Sequence, residues 1–197
     1  EFRTAGLVAT HLKSLEMPIR TNIAHTGVVG VLRGGKPGPV VALRADMDAL
    51  PVLEMVDLPF KSTVRARYNG HDVGVMHACG HDVHTSSLLG TAKILSAIKD
   101  QFEGTVKLIF QPGEEKNPGG ASYMIRDGAL QNPTPSVIIG QHVMPLVPVG
   151  KVGFREGMYM ASSDEIYLKV IGKGGHGAAP ELAIDPIVIA SHIIIAL

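Results

Sequence analysis

Short apolar runs rich in β-branched residues alternate along the chain with longer segments of helical periodicity. Residues 28–33, 40–45, 105–110 and 137–139 predict buried strands, and residues 85–99 predict a helix. This alternation predicts the α/β class, with a mostly parallel sheet flanked by helices. Because ligands bind at the carboxyl ends of the strands in such sheets, we expect the chemistry of this chain in the loops that follow them.

A change of pattern near Ala161 indicates a second domain. Residues 165–171 alternate polar and apolar side chains, which is typical of a half-exposed strand and unlike the buried runs before it. We therefore expect one domain over residues 1–160 and the first part of an α+β domain over residues 161–197. Helical and apolar patterns run up to both ends of the chain, with no helix-ending residue before Leu197, so we expect both domains to be truncated.

Charge and cysteine content argue against several classes of protein. Lys plus Arg and Asp plus Glu each total 18, and no basic run stands out, so we expect no nucleic acid and no membrane surface as partner. The apolar runs are far shorter than a membrane span. Cys79 is the single cysteine, so no internal disulfide can form, and this favours the reducing environment of the cytoplasm.

Polar side chains suited to acid–base or metal chemistry fall in four clusters close to the predicted strand ends. Their convergence at one edge of the predicted sheet is a stronger signal than any single motif. The clusters are Asp46 with Asp48, Cys79 with His81, Glu114 with Glu115, and His142 alone.

Cys79 and His81 stand on either side of Gly80 in a loop that leads into the predicted helix. The glycine allows a sharp turn, so both side chains can face one centre. Thiolate, imidazole and carboxylate are the ligands preferred by zinc and similar cations, and we therefore predict a metal site here. The competing interpretation makes Cys79 a small buried hydrophobic residue, and the histidines and aspartate around it argue against that.

Glu114 and Glu115 are adjacent carboxylates directly after a buried strand, where a cation would compensate their repulsion. One of them can bind metal while its neighbour takes a proton from water, and a solvated turn is the alternative. Asp46 and Asp48 can be ligands, supports for ligands or parts of a turn. His142 is weak evidence by itself.

His176 lies in the glycine-rich segment of residues 172–180. Three glycines of this segment match the dinucleotide-binding pattern GxGxxG, and a predicted strand precedes them. A helix should begin at the third glycine of such a site, but the next predicted helix begins only near Asp185. We therefore interpret the segment as a mobile lid loop that presents His176 to a substrate.

Four segments carry a resemblance to a known family. They are RADMDALP at residues 44–51, MHACGHD at 76–82, QPGEE at 111–115 and GGHGAAP at 174–180. In this order they resemble the M20 metallopeptidases, specifically the amidohydrolase branch. That branch includes hippurate hydrolase, N-acyl-L-amino acid amidohydrolases and auxin-conjugate hydrolases.

The resemblance implies a zinc-peptidase-like catalytic, metal-binding domain at residues 1–160 and the opening of an inserted lid and dimerisation domain at 161–197. It implies a centre with two divalent ions, manganese or zinc, and a further ligand histidine beyond Leu197. We therefore expect the chain by itself to be poorly active. The implied ligands are Cys79, His81, Glu115 and His142.

The resemblance also implies the roles of the remaining candidates. Glu114 would be the general base, and His176 would hold the substrate carboxylate or the oxyanion. Asp48 and Asp46 would support the ligands. The expected substrate is a small N-acyl amino acid or peptide, and the expected assembly is a homodimer formed through the lid domain.

Two other functions stay open. In one, Cys79 is the nucleophile of a hydrolase with a nearby histidine as base, and activity would survive a chelator. In the other, the chain is a non-catalytic binding protein that keeps the same fold.

Overall fold

A computed structural model describes all of residues 1–197, which form two compact units, Glu1–Gly153 and Phe154–Leu197. The helices are α1 (Phe2–Ser14), α2 (His81–Ala97), α3 (Gly120–Arg126) and α4 (Pro186–Ala196). The strands are β1 (Ile19–Ile23), β2 (Gly27–Arg33), β3 (Lys36–Asp46), β4 (Arg65–Tyr68), β5 (His71–Gly74), β6 (Glu103–Gln111) and β7 (Val137–Gly140).

Five strands form the central sheet of the first unit in the order β1-β2-β6-β3-β7. The predicted class, an α/β sheet flanked by helices, is confirmed. The sheet is mixed, however, because β3 pairs in parallel with β6 and β7 while β2 pairs antiparallel with β1 and β6. The short connection between β1 and β2 accounts for their antiparallel pairing, since a hairpin joins antiparallel strands whereas parallel neighbours need a long crossover.

Both faces of the sheet bury apolar side chains, and alternate residues of a strand serve opposite faces. On β6, Leu108 and Phe110 join the larger cluster with α1 and α2, while Ile109 joins a smaller cluster that contains Met124 of α3. Lys107 lies on the smaller side, where its Nζ donates to the carbonyl oxygens of residues 129 and 131. Helices thus pack against both faces of the sheet, and they leave the ends of its strands uncovered.

The register of β3, β6 and β7 brings three of the predicted clusters to one edge. Asp46 at the end of β3 is opposite Gln111 at the end of β6, and Arg44 is opposite Gly140 at the end of β7. Glu114 and His142 follow a few residues later. Because the three strands run in parallel here, their carboxyl ends meet at the same edge.

The second unit contains less regular structure than the sequence predicts. The predicted strand at residues 165–171 is wrong, since this segment forms neither strand nor helix. A strand needs a neighbouring strand for its hydrogen bonds, and this unit supplies one isolated bridge, Lys173 with Ile184. The division of the chain into domains at residues 160 and 161 stays a prediction.

No helix of the structure combines the length and the hydropathy that a crossing of a membrane requires.

Candidate metal centre

The sheet edge at the ends of β3, β6 and β7 gathers the predicted residues of the first unit around His81, the first residue of α2. Nitrogen, sulfur and oxygen atoms within each of two groups lie within 4.8 Å of one another. One group is Cys79, His81 and His142, and the other is His81, Glu114 and Glu115. The sequence predicts these neighbours although they are up to 63 residues apart.

The ring of His81 is buried and its orientation is fixed by Asp48. Its Nδ1 lies 2.8 Å from the carbonyl oxygen of Asp48, and since that oxygen can only accept, Nδ1 carries the proton. Nε2 therefore holds a lone pair and has no hydrogen-bond partner. It lies 3.7 Å from Oε1 of Glu115, a second buried atom without a partner, and 3.9 Å from Oε2 of Glu114.

These unpartnered atoms fit a bound cation. A lone pair of a neutral imidazole and a carboxylate oxygen, both shielded from water and facing each other, would each lose free energy without a partner. A divalent ion between them would supply that partner, and nitrogen with carboxylate oxygen is a donor set that zinc and manganese accept. The residues present therefore fit the metal chemistry expected of them.

Asp48 also positions Glu115. Its Oδ2 accepts a hydrogen bond of 2.9 Å from the backbone N–H of Glu115. Asp48 therefore touches two residues of the second group, one through its carbonyl oxygen and the other through its carboxylate. Its other carboxylate oxygen, Oδ1, has no hydrogen-bond partner.

Cys79 and His142 form a close pair, with Sγ 3.3 Å from Nε2. Nδ1 of His142 donates to the carbonyl oxygen of Val143 at 2.6 Å, so the lone pair of its ring also faces the centre. Burial, and then the hydrogen bond to and negative charge of Glu115, raise the pKa of the Cys79 thiol to about 11. Such a thiol is a weak nucleophile at neutral pH and loses its proton only in the field of a cation.

The turn that carries Cys79 and His81 depends on Gly80. Its φ is +81°, in the left-handed region that favours glycine. This agrees with the sharp turn that the sequence predicts between Cys79 and His81. A Cβ atom at this position would also lie 2.3 Å from Cγ2 of Val143. Both the turn and the close approach of the segment after β7 therefore require glycine.

Asp46 is buried next to these groups, and both of its carboxylate oxygens have hydrogen-bond partners in the protein. Oδ1 lies 2.6 Å from Nδ1 of His84, and Oδ2 accepts from the guanidinium of Arg44 at 2.6 Å. Burial alone would raise the pKa of Asp46, but the hydrogen bond from His84 and the charge of Arg44 outweigh it and lower the pKa below its usual range. Asp46 is therefore ionised at neutral pH.

His84 is the residue of this edge that the sequence predictions miss. It is fully buried on α2, one turn after His81. The available signal is the spacing of three residues between His81 and His84, which places both histidines on the same face of a helix. The spacing does not reveal its partners, Asp46 and Val143, because they are distant in the chain.

His176 lies in the second unit and is exposed. Its Nδ1 accepts a hydrogen bond of 3.1 Å from the backbone N–H of Ala178. As predicted, α4 begins well after the glycines, and Asp185 caps it by accepting from the N–H of Ile187 at 2.8 Å. The GxGxxG match thus lacks the helix that would bind a pyrophosphate. The role of His176 toward a substrate stays a prediction.

Comparison with known proteins places the chain among metallopeptidases and amidohydrolases. The profile of "Peptidase family M20/M25/M40" matches residues 42–192. Hippurate hydrolase of Campylobacter jejuni is 47% identical over 100% of this chain and 49% of its own length. IAA-amino acid hydrolase ILR1-like 5 of Arabidopsis thaliana is 44% identical over 100% of this chain and 42% of its own length.

A solved structure shares the fold. The YXEP protein of Bacillus subtilis, described as a dinuclear metal binding peptidase from the M20 family, is 40% identical with a TM-score of 0.70. The match covers 80% of this chain and 41% of that chain. The chain spans about half the length of the curated relatives it matches. With a family profile that extends over most of its residues, and with three of its four motif segments gathered at one sheet edge, this chain belongs to the M20/M25/M40 family of peptidases.

Proposed function

We propose that the protein hydrolyses the amide bond of N-acyl amino acids or small peptides at a metal centre built on this sheet edge. The observation that carries the proposal is the pair of buried, unpartnered atoms, Nε2 of His81 and Oε1 of Glu115, which face each other at 3.7 Å. The thiol of Cys79 and Nε2 of His142, which lie 3.3 Å from each other, are both within 4.8 Å of Nε2 or Nδ1 of His81.

The proposed ligands are Cys79, His81, Glu115 and His142. The description of the Bacillus subtilis relative as dinuclear supports two divalent ions, and the mixture of sulfur, nitrogen and oxygen donors accepts zinc or manganese. When bound, such ions polarise the scissile carbonyl group and lower the pKa of a water molecule. The rest of the chemistry belongs to the side chains.

Glu114 is the proposed general base. Its side chain is 41% exposed, compared with 25% for Glu115, so it faces the space where a substrate and a water molecule can enter. A carboxylate here can take a proton from the attacking water and give it to the amine nitrogen as the amide bond breaks. Glu115, with its backbone held by Asp48, is the better placed of the two to bind a metal ion.

The substrate class follows from the relatives' names. Hippurate is an acylated glycine, and an IAA-amino acid is also an acylated amino acid, so both named activities break an amide next to a free carboxylate. His176, with Nδ1 held by its own loop, leaves Nε2 for that carboxylate or for the oxyanion. We propose that this residue belongs to a lid domain and that two copies of the protein form a homodimer through that domain. We also propose that the protein acts in the cytoplasm.

The experiment is hydrolysis of a panel of N-acyl amino acids by the full-length protein, before and after treatment with a chelator. We expect activity that disappears with the metal and returns with manganese or zinc. The contact of Cys79 with His142 is also the geometry of a cysteine nucleophile, and activity that survives the chelator but not thiol alkylation would replace our proposal with that mechanism. Metal binding without turnover of any substrate would indicate a binding protein.

A further inference from the structure

Both ring nitrogens of His84 make hydrogen bonds within the protein, so neither is available to bind a metal ion. Nε2 accepts a hydrogen bond of 2.9 Å from the backbone N–H of Val143, and since that group can only donate, Nε2 carries a lone pair. Nδ1 therefore carries the proton and donates it to Asp46 at 2.6 Å. Asp46, His81 and His84 lie close enough to suggest a third ligand group, but the lone pair of His84 is already occupied.

The other end of this connection is the segment that carries His142. This segment follows β7, which pairs in parallel with β3. The ring of His142 contacts Cys79, the carbonyl oxygen of its own neighbour Val143, and the ring of His84, whose centroid lies 4.5 Å away. The hydrogen bond from Val143 and the ring contact of His142 therefore both join this segment to His84, a buried residue of α2.

Asp46 makes the attachment rigid. It ends β3, the strand between β6 and β7, and the guanidinium of Arg44 holds its second oxygen. A chain of hydrogen bonds therefore runs from the sheet through Asp46 and the ring of His84 to the backbone of Val143. Gly80, just before α2, leaves space for the side chain of Val143. Val143 is therefore positioned twice, by this close approach to Gly80 and by its hydrogen bond to His84.

We propose that His84 is a positioning residue that holds His142 opposite Cys79, in place for metal binding. The proposal rests on the proposed metal centre, because the place of His142 matters to function only if it is a ligand. Supporting partners behind a ligand histidine set its orientation, and their loss weakens metal affinity without removing a ligand.

The first test measures the histidine rings directly. Full-length protein labelled with ¹⁵N-histidine is loaded with ¹¹³Cd²⁺, and scalar coupling between the two nuclei identifies the metal-bound nitrogens. We expect coupling to Nε2 of His81 and of His142, and none to His84, whose shifts should stay those of the Nδ1–H form. Coupling to His84 would overturn its positioning role and leave the metal centre standing. Coupling to no histidine would remove the metal centre itself.

The second test compares two neighbouring buried residues of α2. His84→Asn keeps a donor for Asp46 but is too short to accept from Val143. Thr85→Val is the matched control, since it deletes a buried hydrogen bond of 2.9 Å to the carbonyl oxygen of Asp46 without touching Val143. We expect His84→Asn to weaken metal binding by about 10–100-fold relative to the control. Equal losses in both variants would show a general loss of stability and overturn the proposal.

Discussion

The candidate centre has two halves that differ in burial and in how their hydrogen bonds are used. The buried network consists of residues that are at most 8% exposed: Asp46, Asp48, His81 and His84. The open rim consists of half-buried or exposed side chains: Cys79, Glu114, Glu115 and His142. In the network most polar atoms are bonded to the protein, whereas the rim presents sulfur, oxygen and a ring nitrogen toward a shared space.

The difference separates residues that orient the site from residues that react, with His81 belonging to both groups because its Nδ1 is bonded to Asp48 while its Nε2 is unpartnered. The network is bonded to strands and helices, so its geometry is set when the protein folds and is present before any ligand binds. The rim is free to exchange its partners for metal and substrate. If this division is right, removal of Asp46 should mainly lower the free energy of unfolding, removal of His84 should also weaken metal binding, and changes in the rim should mainly lower the rate of reaction.

Glu114→Gln should produce the largest effect of the rim. The substitution keeps the shape of a 41% exposed side chain but removes the base, so kcat of the full-length protein should fall by about 10²–10⁴-fold. The free energy of unfolding should stay within about 0.5 kcal/mol, and the metal content should not change. Steady-state kinetics and urea unfolding measure both quantities.

Glu103→Gln is the control for that variant. Glu103 begins the same strand that Glu114 follows, and its side chain is 64% exposed at the opposite edge of the sheet. The Glu103→Gln variant should therefore have the same kcat as the parent protein. A Glu114→Gln enzyme that retains more than about half its kcat would exclude Glu114 as the general base, because such groups contribute at least about 100-fold.

Asp46→Ala should produce the largest effect of the buried network. It removes the partner of Nη1 of Arg44 and of Nδ1 of His84, while Nε of Arg44 keeps its bond to Gln111, and breaking a buried charge pair costs at most about 3–5 kcal/mol. Urea unfolding of the full-length protein measures the loss, with exposed Asp57→Ala as control. A loss below about 1 kcal/mol would mean that the network does not stabilise the fold and would remove the contrast with the rim.

Acid should weaken the same network. Since the pKa of Asp46 is lower in the folded protein than its ordinary value, the unfolded chain binds more protons in the range between the two values. The contribution of Asp46 to stability is thus present above the ordinary pKa and is lost as the pH falls through the folded value. Asp46→Asn should therefore show a shallower loss of stability in acid than the parent, measured by urea unfolding at a series of pH values.

The sequence predicts the rim better than the network, for a physical reason. Strand periodicity is local, and parallel strands end at a common edge, so clusters after strand ends could be expected to converge. The structure confirms this expectation for Glu114 and His142, which follow β6 and β7, the two strands that pair in parallel with β3. The pairing of His84 with Val143 spans 59 residues and leaves no periodic signal.

The same distinction explains the errors in the predicted fold. The hairpin of β4 and β5 is not predicted because most of its side chains are exposed, so no apolar run marks it. The antiparallel pairing of β2 with β6 is not predicted either, since an apolar run indicates burial but not strand direction. The run at residues 165–171 has the pattern of a strand, but no neighbouring strand pairs with it.

Gly80→Ala tests the junction between the two halves and should have an intermediate effect. The new Cβ meets Val143 at 2.3 Å and sits at a positive φ, so we expect a loss of about 1–3 kcal/mol in unfolding free energy together with weaker metal binding. Gly90→Ala is the matched control, because it lies inside α2 with nothing within 4 Å and should stabilise by about 0.5–1 kcal/mol. Equal effects in the two variants would show that the close approach to Val143 is unimportant.

The thiol of Cys79 gives the smallest expected effect and separates the metal mechanism from the cysteine alternative. With a pKa of about 11, the thiol is almost fully protonated at pH 8, whereas an ordinary cysteine of pKa about 8.5 is partly ionised. Iodoacetamide should therefore modify Cys79 in the metal-free full-length protein at least about tenfold more slowly than a free cysteine, followed by mass spectrometry of its peptide. Glu115→Gln, which removes the negative charge beside the thiol, should speed the reaction, and Glu103→Gln should not. Modification as fast as that of a free thiol would mean that the rim already holds a thiolate without metal, and the contact with His142 would then favour a nucleophile over a ligand.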